Sequence, residues 1–179
     1  MHLPEERIAA QAKRIGIGEH GVGGQGDILR VTLGSCIGLC LVWGKQSRFA
    51  VAHILLPSRS DSMREYPDSR FADTAIPFLL AKLGPVERNR EVTAYVAGGG
   101  TMYASANETD AVGSNNTKNT MDALRQHRIR VVDTDLGGST PRQLVVDGPG
   151  QQVISLNLDL QPTAAKWPMP PNFGPRKIA

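Results

Sequence analysis

At 179 residues the chain has room for one domain and a short extension, and its 40% apolar content supplies one core, built mostly of aliphatic side chains because aromatics make up only 5%. The net charge of +3, from 20 Lys plus Arg against 17 Asp plus Glu, comes without a basic run or interleaved aromatics, which argues against a nucleic-acid surface. No stretch approaches the roughly 18 uninterrupted apolar residues of a membrane helix, and the polar start (Glu5, Glu6, Arg7, Lys13, Arg14) is no signal peptide. Two closely spaced cysteines make a poor disulfide framework, so a reduced, cytoplasmic protein without membrane insertion is expected.

Residues 1–13 read as a polar lead-in. From Arg14 to Val22, Ile15 and Ile17 alternate with glycine and polar positions, which predicts a short strand ahead of the turn Gly23-Gly24-Gln25-Gly26-Asp27. Ile28 to Leu33 and Ile37 to Trp43 are β-branched, apolar strands parted by Gly34-Ser35-Cys36. Phe49 to Leu56 is a further strand, stopped by Pro57. A polar loop over 58–69 leads into a helix carrying Ala72, Ile76, Leu79, Leu80 and Leu83 at helical spacing. Asp68 or Ser69 is available as its cap, Gly84-Pro85 is its stop, and Pro77 lies inside it.

Glu91 to Ala97 predicts a strand running into Gly98-Gly99-Gly100. A second helix over Asn116 to His127 turns Met121 and Leu124 inward, and Ile129 to Asp133 is a strand followed by Gly137-Gly138. Gln143 to Val146 and Gln151 to Leu156 form a hairpin turning at Asp147-Gly148-Pro149-Gly150. After Gln161 there are five prolines in fifteen residues and little hydrophobic pattern. The expected organisation is a lead-in over 1–13, one domain over 14–160 and an extended or disordered tail over 161–179. Strands outnumber helices and short turns join many neighbours. The expected fold is α+β (α/β layered), a mixed sheet or β-sandwich-like core flanked by helices.

Cys36 follows two small residues where a loop enters a strand, so a substrate backbone can approach it and the turn's amides can serve a developing oxyanion. The competing reading is a buried small hydrophobe, which suits Cys40 better, since Cys40 sits deeper in the same apolar run. His53 interrupts Ala50-Val51-Ala52 and Ile54-Leu55-Leu56, where a buried imidazole costs free energy without a partner. If its strand neighbours that of Cys36, the ring can face the sulfur and prime it. Otherwise His53 is a core histidine bonded to a backbone carbonyl. His2, His20 and His127 lack ligand spacing with the cysteines, so neither metal nor organic cofactor is expected. Gly98-Gly99-Gly100 lacks the Lys-Ser or Lys-Thr of a phosphate loop. It packs backbone closely or lines a cleft, and Gly137-Gly138 with Arg142 reads as a tight turn pinned by a guanidinium.

The ordered motifs are Leu33-Gly34-Ser35-Cys36, His53-x-Leu55-Leu56-Pro57, Arg70-Phe71-Ala72-Asp73-Thr74-Ala75, Gly98-Gly99-Gly100-x-Met102, Val112-Gly113-x-x-Asn116 and Asp135-x-Gly137-Gly138-x-x-x-Arg142. Together they closely resemble the CheD family of chemoreceptor glutamine deamidases over roughly residues 14 to 156. The resemblance implies a Cys-His deamidase converting glutamines to glutamates in the cytoplasmic helices of methyl-accepting chemotaxis receptors. Cys36 matches the family nucleophile, His53 the base and Thr32 the third catalytic position. Gly34, Ser35, Gly98, Gly99 and Arg142 are expected near substrate, with loops 57–70, 98–105 and 137–142 forming the docking surface. A CheC-type phosphatase is an implied partner. The segment before Cys36 is two residues shorter than in members with Thr-Leu-Gly-Leu-Gly-Ser-Cys. The alternatives are another thiol amidohydrolase, or a catalytically weak binding module regulating a phosphatase or receptor array.

Overall fold

A computed structural model of the chain describes residues 10–101, 109–158 and 164–174. The lead-in over 1–9, Met102 and the rest of the loop to 105, and the tail at 161–163 and 175–179 lie outside the described residues. Ten strands are described: β1 (Lys13–Arg14), β2 (His20–Gly24), β3 (Ile28–Leu33), β4 (Ile37–Trp43), β5 (Arg48–Ile54), β6 (Val92–Gly98), β7 (Arg130–Leu136), β8 (Arg142–Asp147), β9 (Gln152–Asn157) and β10 (Ala164–Pro168). They form two five-stranded sheets in the orders β1-β3-β8-β9-β10 and β2-β5-β4-β6-β7. Helices α1 (Ala72–Leu83) and α2 (Thr109–Gln126) accompany the sheets in an α+β fold.

Period-two alternation explains the layering. Along β4, Ile37, Leu39, Leu41 and Trp43 join Ala50, Ala52 and Ile54 of β5 in a core with Ala75, Ile76, Leu79 and Leu124 of the helices. The opposite parity, Cys36, Cys40 and Val42 with Phe49 and Val51, packs on Val31, Leu33, Leu144 and Val146 of the other sheet. Both faces of the central sheet are therefore covered, which is why β4 reads as a continuous apolar run. Gly38 has inward parity, and a Cβ there would lie 2.8 Å from Leu33 Cδ1 and 3.0 Å from Val31 Cγ2. Its missing side chain lets the two sheets approach.

The β3 and β4 boundaries match the expected ones, and β8 and β9 pair as the expected hairpin. Three differences have physical reasons. Helix α1 has no side-chain cap; Asp68–Arg70 forms a short 3-10 turn, and the Ser69 hydroxyl instead donates to the Gly18 carbonyl at 2.7 Å. Helix α2 starts at Thr109, ahead of the expected Asn116. The proline-rich segment is extended over Ala164–Pro168, but it pairs with β9 and buries Trp167, Met169 and Phe173 in the inter-sheet core. Its prolines suit an edge strand, where a missing N–H leaves no ladder partner unsatisfied.

Candidate active site

Cys36 lies where the chain crosses from one sheet to the other, between the end of β3 and the start of β4. Gly38 faces His53 across the β4–β5 pair. Cys36 is two residues before Gly38, so sulfur and imidazole share the inner face of adjacent antiparallel strands in diagonal positions. Such positions are about 7–8 Å apart along the backbone, a span that two side chains can bridge. Cys36 is 8% exposed and His53 3%, whereas Cys40 is fully buried.

The loop carrying Cys36 is held by its carbonyls. Gly34 O accepts from Gly100 N and Cys36 O from Gly99 N, both at 2.9 Å, while Ser35 O accepts from Asn116 Nδ2 at 3.2 Å. In a trans peptide the N–H points opposite to the carbonyl of the same plane. The amides of Ser35 and Cys36 are therefore turned away from this scaffold, and neither finds an acceptor among the described residues. Gly34 and Ser35 are half-buried and directly precede Cys36 in the chain.

His53 Nδ1 lies 3.4 Å from the Ile15 carbonyl. A carbonyl only accepts, so Nδ1 carries the proton and the lone pair is on Nε2. That Nε2 is buried without a hydrogen-bond partner among the described residues. Burial pushes the His53 pKa below its usual value, opposed by the Ile15 carbonyl and lowered further by the Arg14 charge. Burial pushes the Cys36 thiol up, and the positive charge of Arg70 pulls it back down. Burial thus disfavours both the thiolate and the imidazolium, and no hydrogen bond joins His53 Nε2 to the Cys36 sulfur.

Several expected site residues are placed elsewhere. Thr32 is exposed between the buried neighbours Val31 and Leu33, so its side chain faces outward from its sheet, away from the inner face with Cys36 and His53. Its hydroxyl accepts from Gln143 Nε2 at 3.3 Å. The Ile15 carbonyl is where a third group orienting the imidazole was expected. Gly98 and Gly99 are buried beneath the Cys36 loop. A Cβ on Gly98 would come 2.1 Å from Cys36 O, so this glycine permits close backbone approach and does not line a docking surface. Arg142 is 7% exposed, with Nη1 2.6 Å from Asp135 Oδ1 and Nη2 on the Gly137 carbonyl. It pins the turn after β7, and its donors are committed to the chain.

Two further residues shape the site. Asn116 is completely buried, and its Nδ2 reaches Leu55 O at 2.9 Å as well as Ser35 O, tying the cysteine loop to the strand end beyond His53. The spacing Val112-Gly113-x-x-Asn116 was the available signal, since a Cβ on Gly113 would lie 2.7 Å from the Gly99 and Gly100 carbonyl oxygens and only glycine lets the helix pack against that backbone. Arg70, which opens the motif Arg70-Phe71-Ala72-Asp73-Thr74-Ala75, accepts through its carbonyl from the amides of Leu55 and Leu56 at 2.9 and 3.1 Å and so braces the strand end beyond His53. A cleft of about 410 Å³ lined by Glu87, Arg88, Asn89, Arg90, His127 and Arg128 lies at the Val92 end of β6, the end opposite Gly98. Among the described residues no group of His, Cys, Asp and Glu is placed to hold a metal, and no helix is long and apolar enough to cross a membrane.

Comparison with known proteins gives one family. The family described as CheD chemotactic sensory transduction matches residues 55–155, a stretch that begins just after His53 and does not include Cys36. A probable chemoreceptor glutamine deamidase CheD of Bdellovibrio bacteriovorus is 34% identical over 141 residues, covering 77% of this chain and 90% of the relative. A protein of the same description from Methanococcus vannielii is 32% identical, over 74% of this chain and 86% of its own length. One from Clostridium botulinum is 30% identical, over 70% and 80%.

Proposed function

The chain belongs to the CheD family, and on that premise we propose that it deamidates glutamine side chains of chemoreceptors, with Cys36 as nucleophile and His53 as proton carrier. The observation that carries this reading is the placement of Cys36 and His53 on one face of neighbouring strands, with an imidazole nitrogen that has no hydrogen-bond partner among the described residues.

In the proposed reaction the sulfur attacks the carboxamide carbon while its proton passes to His53 Nε2, so neither group needs to be charged at rest. Negative charge gathers on the former carbonyl oxygen, where the amides of Ser35 and Cys36 are the available donors. The imidazolium then gives its proton to the nitrogen, the C–N bond breaks and ammonia leaves a thioester. Water loses a proton to Nε2 and attacks the thioester carbon. The C–S bond breaks, the sulfur recovers the proton and glutamate is released. The Ile15 carbonyl keeps the imidazole in the required tautomer throughout.

The proposed substrate is the cytoplasmic helical region of methyl-accepting receptors, which places the reaction in the cytoplasm. A CheC-type phosphatase presenting a receptor-like segment is the proposed regulatory partner. One observation favours a second reading as a binding module: burial disfavours both the thiolate and the imidazolium. Ammonia release from receptor fragments, with a gain of about one mass unit per glutamine and the backbone intact, separates the two. Receptor binding without ammonia from the wild-type chain supports the binding module. Full activity in Cys36→Ala or His53→Ala removes the proposed mechanism.

A further inference from the structure

On the His53 side the candidate site is bordered by the segment that crosses from β1 in one sheet to β2 in the other. In this crossing the Ile15 carbonyl faces His53 Nδ1, and the Gly18 N–H donates to the His53 carbonyl at 2.8 Å. Ile17 lies between these two anchors and is 58% exposed. A second segment is fastened to the first. The Ser69 hydroxyl donates to Gly18 O, and a Cβ on Gly18 would lie 3.2 Å from both Arg70 Cγ and Nη1. The Arg70 guanidinium carbon ends 4.6 Å from the centroid of the Tyr66 ring, and Tyr66 is 48% exposed. Ile17, Arg70 and Tyr66 are thus linked through Gly18 into one surface tied to the His53 backbone.

Three features of this surface point to a partner. The large apolar side chains exposed among the described residues are Ile17, Tyr66, Val132 and Leu158, and the first two meet here. One exposed apolar side chain is ordinary, whereas two beside a candidate site mark a place for contact. The cation between them is free: among the described residues Arg70 forms no ion pair, whereas Arg59, Arg64, Arg125 and Arg142 each hold a carboxylate. Glu19, the carboxylate of the crossing, accepts from the Gly16 N–H at 2.8 Å. The surface is also preformed. Arg59 pairs with Asp68, donates to Tyr66 O at 3.3 Å and gives its backbone N–H to Asp73 Oδ2 at 3.0 Å, which holds the loop that presents Tyr66. A tyrosine and an arginine already held in place lose little freedom on binding.

We propose that Ile17, Tyr66 and Arg70 form the docking surface for the substrate helix, which lays an apolar side chain on Ile17 and Tyr66 and pairs a carboxylate with the Arg70 guanidinium. A helix presents side chains three and four apart on one face, so the carboxylate and the apolar residue stand within about one turn of the target glutamine. The surface thereby selects which glutamines are offered to the site: those with an acidic neighbour on the same helix face. The inference rests on the proposed receptor substrate and adds to it the chemistry by which that substrate is recognised.

The test measures steady-state ammonia release by the full chain from a chemoreceptor cytoplasmic fragment, together with binding of that fragment by fluorescence anisotropy. Arg70→Glu, Ile17→Asp and Tyr66→Ala should each raise KM and weaken binding by about tenfold, with kcat within about twofold of wild type. Cys36 alkylation by iodoacetamide, which involves no docking, should keep its wild-type rate in Ile17→Asp and Tyr66→Ala. Lysine in place of the fragment's acidic residues within one turn of the target glutamine should impair the wild type and partly restore Arg70→Glu. Wild-type KM and binding in all three variants, a loss confined to kcat, or equal turnover of the native and charge-reversed fragments overturns the inference and leaves deamidation standing. Fragment binding that weakens in the variants, without ammonia release by the wild type, keeps the surface and overturns the deamidase reading. A wild-type chain that neither binds the fragment nor releases ammonia overturns both.

Discussion

Gly38 and His53 face each other across the β4–β5 pair, so the position between Cys36 and Cys40 that looks toward the imidazole carries no side chain. The space is taken from the other sheet by Leu33, Val31 and Leu144, whose terminal carbons lie 2.8–3.1 Å from where a Cβ would be. A methyl group here meets the ends of aliphatic side chains, which can shift slightly, whereas a branched group cannot be absorbed. Gly38→Ala is expected to cost about 1 kcal/mol and Gly38→Val about 3 kcal/mol. Urea midpoints at constant slope measure both.

Asn116 is the polar tie of the site. Asn116→Ala removes the donor to Ser35 O and Leu55 O and should cost about 1–3 kcal/mol. It should also lower the rate of ammonia release beyond any change in apparent substrate affinity. Asn116→Asp should be worse, about 3–5 kcal/mol, because a carboxylate can only accept and would face two carbonyls in a fully buried setting. Equal stability of the Ala and Asp variants would show that the two hydrogen bonds contribute little.

Thr32→Ala should leave both ammonia release and Cys36 alkylation unchanged, because its hydroxyl faces outward from its sheet and accepts from Gln143. A loss comparable to that of His53→Ala would return Thr32 to the catalytic set.

Stability should decline on both sides of neutrality. His53 has a lowered pKa in the folded state, so the unfolded chain binds more protons once pH falls below the unperturbed value of 6.5, and stability drops from there downward. Cys36 has a raised pKa, so the unfolded chain loses its proton first and stability drops as pH rises above 9.0. His20, also lowered by burial, adds to the acid limb. His53→Gln should flatten that limb in part, and Cys36→Ala should flatten the alkaline one only in part, because burial also pushes the Cys40 thiol strongly up, as read from melting temperature against pH.

The segment after 160 should be part of the folding unit. Trp167 stacks on Tyr95 with ring centroids 6.2 Å apart, and the Tyr95 hydroxyl donates to Pro168 O at 2.7 Å. Trp167→Ala should cost about 3–5 kcal/mol. A chain ending at residue 160 should lose protease resistance, and an unchanged melting temperature for it would contradict the docked strand.

The sequence by itself marked most of the strands and the two side chains proposed to react. Short-range physics governs these: β-branched runs bounded by glycine and proline, and a lone histidine inside a run otherwise apolar from Ala50 to Leu56. Tertiary structure decided what each residue faces. Thr32 is four residues from Cys36, yet the chain changes sheets between them, which puts its hydroxyl on the outside. Arg142 and the glycines at 98 and 99 looked available to substrate, and packing spends them on Asp135 and on the backbone under Cys36. The proline-rich tail showed no pattern because its few apolar residues, Trp167, Met169 and Phe173, depend on a partner strand far away in sequence to be buried.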